Sequence, residues 1–243
     1  MTNLILGKKM KITKKYIIDS VNKFRIDLIE SVGIIREIIQ KLNTQIENQS
    51  FQTEDIISLV ETIKQKQIKL ESKNVTLIAN SLMLTEDDIR LFVGGINLIN
   101  NLKYISLNII EISELLANKQ DLSKKYFKNI TSMSDTLSII YDKLFIAFTY
   151  RELHRCKEIY DEEDKMVELK NNNIYAVLQN IMNDDENLSY EISIVDIMSI
   201  FIDMYGYFLD IARDIVFIFA GEDIKEEKFK LNKQFYIEEE EEE

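Results

Sequence analysis

The chain has 243 residues with no proline, no tryptophan, six glycines and one cysteine. Proline breaks helix interiors and starts many turns, so its absence favours long helices; the lone Cys156 excludes an internal disulfide and fits a reducing compartment. The net charge of −12 is uneven, with 16 basic and 14 acidic residues over 1–119 against 14 and 28 over 120–243, and an acidic chain with no basic stripe is a poor nucleic-acid binder.

The start, "MTNLILGKKMKITKK", holds five lysines around a short apolar patch at Leu4–Leu6. That patch is shorter than the roughly 7–15 apolar residues of a signal-peptide core. Val21, Phe24, Leu28, Val32, Ile35, Ile39, Leu42 and Ile46 then step by three or four, which predicts one amphipathic helix over 12–48. Thr53 precedes "EDII" as an N-cap, and a second helix is expected to run to Leu82. Thr85 and Asp88 have capping-box spacing and open a third helix over 86–118. Ile130, Met133, Leu137, Ile140, Leu144 and Ala147 mark a fourth over 121–149. A fifth is expected over 151–183, broken by "NDDEN", and a sixth over 188–220, with Gly221 as its C′ residue. The final run Glu238–Glu243 reads as a solvated, disordered tail held open by like-charge repulsion.

These elements predict an all-α protein of two tandem, similar three-helix bundles: 12–119, 120–223, and an acidic tail over 224–243. A shift of 99 residues lays the second and third helices on the fifth and sixth, pairing Leu70 with Leu169, Leu77–Ile78 with Ala176–Val177, Ile105 with Met204, Glu111 with Asp210 and Ile112 with Ile211. A membrane span needs about 20 nearly uncharged residues. Asp203, Asp210, Arg213 and Asp214 interrupt the most apolar stretch, so burial by protein is expected instead.

Three stretches together resemble the PhoU family, the phosphate-uptake regulators of bacteria. "EDDIRLF" (86–92) is similar to the entry of that family's third helix, "EIYDEEDKMVEL" (158–169) to its fifth, and "IARDIVFIFAGED" (211–223) to the close of its sixth. The resemblance covers about residues 12–225. It implies a cytoplasmic, usually dimeric and non-catalytic adaptor, sited at the inner face of the membrane. Its partners would be the ATPase of a phosphate ABC transporter and a membrane sensor histidine kinase, and it would repress phosphate-starvation genes when phosphate is plentiful. A divergent helical scaffold with no phosphate role is the alternative.

Many members of the family bind iron or zinc clusters through Glu/Asp-x-x-x-Asp motifs, whose i and i+4 carboxylates share one helix face. The resemblance lays these motifs on Lys103–Leu107 in the third helix and Ile202–Gly206 in the sixth, where neither end position can ligate. The second helix offers no carboxylate in "IKQKQIK" (63–69). Asp164 and Glu168 in the fifth helix are the remaining pair, and they fit a solvated charge run as well as a site. The expectation is therefore a family scaffold without its metal cluster, which also disfavours a metal-dependent carboxylate enzyme.

Asp196, Asp203 and Asp210 recur every seven residues, with Asp214 one turn further, and read as a solvent-facing stripe, a docking stripe for a basic partner or a displaced metal site. Isolated buried aspartates are costly, so these should be exposed or paired. His154 and Cys156 are two apart on a helix and do not face each other, which argues against a nucleophilic dyad. Diiron chemistry of the ferritin kind needs two Glu-x-x-His pairs, and the chain has one histidine. Gly94 and Gly95 lie inside a helix and read as close-packing positions. Asp88 and Arg90 are expected to act structurally, in capping and in pairing between helices.

Overall fold

The computed structural model describes residues 14–79, 84–117, 124–183, 188–222 and 224. The lysine-rich start, the expected helix end at Leu82, the link at 118–123, most of "NDDEN" and the Glu-rich tail lie outside the described residues.

The described residues form helices only: α1 (Lys14–Asn48), α2 (Glu54–Ile78), α3 (Glu86–Ala117), α4 (Lys124–Tyr150), α5 (His154–Tyr160), α6 (Glu163–Asn183) and α7 (Leu188–Ala220). α1, α2 and α3 pack on one another as the first bundle; α4 to α7 form the second. The most extensive contact lies between the bundles, where α3 meets α7, with α1 on α4 beside it. One hydrophobic cluster runs through both bundles, from Ile17 in α1 to Ile218 in α7 and on to Ile224. The packed part of the chain thus reaches one residue into the segment expected to be a disordered tail.

Helix ends follow local chemistry. Thr85 and Asp88 form the expected reciprocal box: the Asp88 carboxylate accepts from the Thr85 amide at 2.9 Å, and the Thr85 hydroxyl accepts from the Asp88 amide at 3.2 Å. Thr53 does not cap as expected. Its backbone is already helical (φ −85°, ψ −19°) and its side chain makes no cap hydrogen bond, because a capping hydroxyl folds back only from an extended N-cap. Gly221 ends α7 at φ +72°, and its amide donates to the Phe217 carbonyl at 3.0 Å.

The expected fifth helix is two helices and starts three residues later. Arg151 takes a left-handed conformation (φ +62°) that ends α4, and α5 and α6 are separated at Asp161–Glu162. The Tyr205 hydroxyl donates to the Ile159 carbonyl at 2.8 Å, drawing an α7 side chain into the backbone ladder at the break. Glu162 is held there by Lys143 and Lys165, each at 3.2 Å.

The 99-residue shift carries buried positions of α3 onto buried positions of α7: Ile105 onto Met204, Ile109 onto Phe208, Ile112 onto Ile211. In α2 and α6 the register drifts, for Leu70 is buried and Leu169 only partly, and Ile78 is exposed where Val177 is buried. α1 and α4 show a similar relation at a shift of 102, with Leu28 and Ile130, Ile35 and Leu137, and Leu42 and Leu144 all buried. The same shift relates the left-handed Gln49 (φ 50°) to Arg151.

By length and composition α7 would qualify as a membrane span, with a mean hydropathy of 1.6 over Glu191–Ala220. Its packing against α3, α4, α5 and α6 accounts for that apolarity as the central helix of the fold.

Candidate functional site

Of the residues singled out in the sequence, the seam between α3 and α7 holds Arg90, Gly94 and Asp214. α3 carries two glycines at close contacts, Gly94 towards α7 and Gly95 towards α1. A Cβ on Gly94 would sit 2.6 Å from the Ile218 side chain of α7, and one on Gly95 would sit 2.7 Å from Leu28 and 2.8 Å from Phe24 of α1. No larger residue fits either place without displacing a neighbour. At the end of the seam, Arg90 bonds Glu86 at 2.6 Å and also Asp87. Its guanidinium lies against Gly221, where a Cβ would meet Nη1 at 3.0 Å. A cation is thereby placed at the carbonyl end of α7, where the helix dipole favours it.

The aspartate stripe divides. Asp196 and Asp203 are exposed, and Asp210 is half-exposed and pairs with Arg213 at 3.5 Å. Asp214 departs from the expected solvent face: it is 4% exposed and faces α3, with one carboxylate oxygen 3.5 Å from the Asn97 amide and the other 3.5 Å from the Asn101 amide. Burial pushes its carboxyl up to about 7, against the opposing pull of Arg213 and the Asn97 bond, while Asp210 adds to the rise. Eighteen residues are five full turns, so Asp214 shares the helix face of the exposed Asp196; it is buried because α3 covers it there, through Asn97 and Asn101. The spacing places all four aspartates on one face, so nothing in it distinguished Asp214; its burial depends on where α3 lies along α7.

Halfway along the seam an aromatic pair lies at its outer edge, with Tyr104 46% exposed. Tyr104 of α3 stacks on Tyr207 of α7, with ring centroids 5.5 Å apart and planes 15° from parallel. The Lys103 ammonium lies 5.5 Å from the Tyr104 ring centre. Burial raises the Tyr207 hydroxyl above its ordinary pKa, helped by Asp203, Tyr104 and Asp210. Neither tyrosine stood out in the sequence, since each falls at a position that reads only as the edge of an apolar stripe.

The remaining candidates separate. Asp164 and Glu168 are both exposed on α6. Among the described residues no group of three His, Cys, Asp or Glu side chains converges as a metal site. Cys156 is buried at 0% exposure, and burial pushes its thiol well above the ordinary value, away from the reactive thiolate. His154 lies at the partly exposed rim, 3.9 Å from Glu152 and 4.0 Å from Glu158. The two do not form a nucleophile and its base.

Elsewhere, Asp27 of α1 is buried against α2, accepting from Lys73 at 3.0 Å with Lys69 at 3.8 Å. Burial would raise its pKa, but the Lys73 bond and the charges of Lys73, Lys69 and Lys66 outweigh it and hold the carboxyl below its ordinary range. In the second bundle Glu191 is 7% exposed; one oxygen accepts from the Tyr126 hydroxyl at 2.7 Å, and the other is buried without a hydrogen-bond partner.

The fold defines the class: an all-α protein of two helical bundles, the middle helix of the second broken into α5 and α6, joined along a central seam. No family model matches the sequence. The chain is 24% identical over 145 residues to the phosphate-specific transport system accessory protein PhoU homolog 1 of Methanothermobacter thermautotrophicus, a match spanning 58% of this chain and 65% of that relative, just under two thirds of its length. Its structure is similar to that of PhoU from Pseudomonas aeruginosa, with a TM-score of 0.78 and 10% identity over 84% of this chain and 99% of the other. It is also similar to the phosphate transport system regulatory protein PhoU from Streptococcus pneumoniae, with a TM-score of 0.74 and 14% identity over 86% and 99%. The chain is thus similar in sequence to a PhoU homolog and has the all-α architecture of the two PhoU structures.

Proposed function

We propose that the chain regulates phosphate transport and phosphate-starvation signalling as a non-catalytic cytoplasmic adaptor. Its partners on this reading are the ATPase of a phosphate ABC transporter and a membrane sensor histidine kinase, which it meets as a homodimer at the inner face of the membrane. The observation that carries the reading is the sequence match to a phosphate-specific transport accessory protein, supported by a TM-score of 0.78 to a PhoU structure.

One feature favours a second reading, a helical scaffold of this fold with no phosphate role. The positions that the resemblance gives to metal ligands are Lys103, Leu107, Ile202 and Gly206, a change deep enough to accompany a change of function. Deleting the gene distinguishes the two. The regulatory reading expects starvation genes to be expressed, and phosphate uptake to rise, in cells grown with ample phosphate. Unchanged expression and uptake in both high and low phosphate would overturn it in favour of the scaffold.

A further inference from the structure

On the α3–α7 face the residues do not fit the iron or zinc cluster that the family resemblance implies. The four ligand positions hold an ammonium (Lys103), two alkyl side chains (Leu107, Ile202) and a glycine (Gly206), none of which supplies an oxygen to a hard cation. The Lys103 charge would repel a cation placed among them. Asp214, the buried carboxylate of this face, is turned to the Asn97 and Asn101 amides instead.

We propose that this face is a metal-free seam, in which the Tyr104–Tyr207 stack, flanked by Lys103, clasps the two bundles together where related proteins place metal ligands. Three observations carry this. The stack joins one residue of α3 to one residue of α7 and so crosses between bundles, with near-parallel rings 5.5 Å apart. Lys103, standing at a ligand position, lies within cation–π distance of the stack and so takes part in the arrangement that replaces the site. The stack also breaks the internal similarity. Under the 99-residue shift Tyr104 corresponds to Asp203 and Tyr207 to Asn108, so the related position across the seam holds an aspartate and an asparagine. A feature found at one of two related positions is a property of this chain, not a requirement of the scaffold.

The test uses the full-length protein, from cells grown with iron and zinc in the medium. Elemental analysis is expected to find both metals substoichiometric, and the thermal midpoint is expected to stay unchanged with EDTA, added zinc or added ferrous iron. Tyr207→Leu, which keeps apolar volume but removes the ring, should lower the midpoint by about 2–4 °C, the shift expected for loss of one aromatic pair in a chain of this size. Tyr207→Phe keeps the ring and should restore most of the loss. Stoichiometric iron or zinc, or a midpoint that falls with chelator, would overturn the metal-free seam. A Tyr207→Leu midpoint equal to wild type would overturn the clasp. These outcomes do not depend on whether the protein regulates phosphate transport.

Discussion

Phe24 and Phe92 close the first bundle edge to face, with ring centroids 4.9 Å apart and planes at 89°. At the corresponding place in the second bundle, 102 and 99 residues on, stand Tyr126 and Glu191, joined by a 2.7 Å hydrogen bond, with one Glu191 oxygen buried and unpartnered. The same backbone plan thus accepts an apolar pair in one half and a polar pair in the other. The first is stabilised by area and ring geometry. The second depends on one donor, and a buried acceptor left unmet costs its desolvation. The two bundles therefore differ in how they respond to substitution, although α1 and α4, and α3 and α7, share their burial patterns.

The largest expected effect breaks the apolar side of this comparison. Phe92→Ala should cost about 3–5 kcal/mol of unfolding free energy, from lost transfer and a residual cavity, as read by urea unfolding. On the polar side, Tyr126→Phe should cost about 1–3 kcal/mol, because Glu191 then loses the Tyr126 hydroxyl as a donor. Adding Glu191→Leu to Tyr126→Phe should recover that loss, since replacing both members of a buried polar pair by apolar groups is nearly neutral or stabilising. A double variant less stable than Tyr126→Phe alone would contradict this account of the second bundle.

Asp214, between the halves, gives a dependence on pH. Its folded pKa near 7 lies above its ordinary value of 3.8, so between about pH 4 and 7 the folded chain holds a proton that the unfolded chain has released. Its contribution therefore lowers stability as pH rises through that window and stays constant above it. Asp214→Asn should remove this slope, and the advantage of the variant over wild type should widen from pH 4 to pH 7. Asp27 has the opposite sign: its lowered pKa contributes stability that is present above 3.8 and lost as pH falls through its folded value. The smallest contrast is between helix caps. Thr85→Ala should cost about 1 kcal/mol through loss of its half of the capping box, and Thr53→Ala, with no side-chain bond to lose, less than about 0.5 kcal/mol by thermal unfolding.

Much of the fold was legible because long helices with regular apolar spacing leave few alternatives. The stripe from Val21 to Ile46 falls entirely in the core, and Gly94, Gly95 and Gly221 act as their positions suggested. The break at Asp161–Glu162 was not legible, because it depends on Tyr205, which is distant in sequence and donates into the ladder of another helix. Thr53 misled because its residue type favours capping, but its backbone angles, set by the turn from α1, do not. At the seam, residue type exposed what Lys103, Leu107, Ile202 and Gly206 cannot ligate. It did not reveal the Tyr104–Tyr207 stack, which requires the antiparallel register of α3 on α7. The same register buries Asp214, on the face of its exposed neighbours, against Asn97 and Asn101.

The most direct test of the regulatory reading is a pull-down of the tagged full-length chain from cells grown in high and in low phosphate. The account predicts recovery of the transporter ATPase or a sensor histidine kinase, in amounts that change with phosphate. Recovery of neither under both conditions would contradict it, leaving the fold in place and assigning the chain to the scaffold reading.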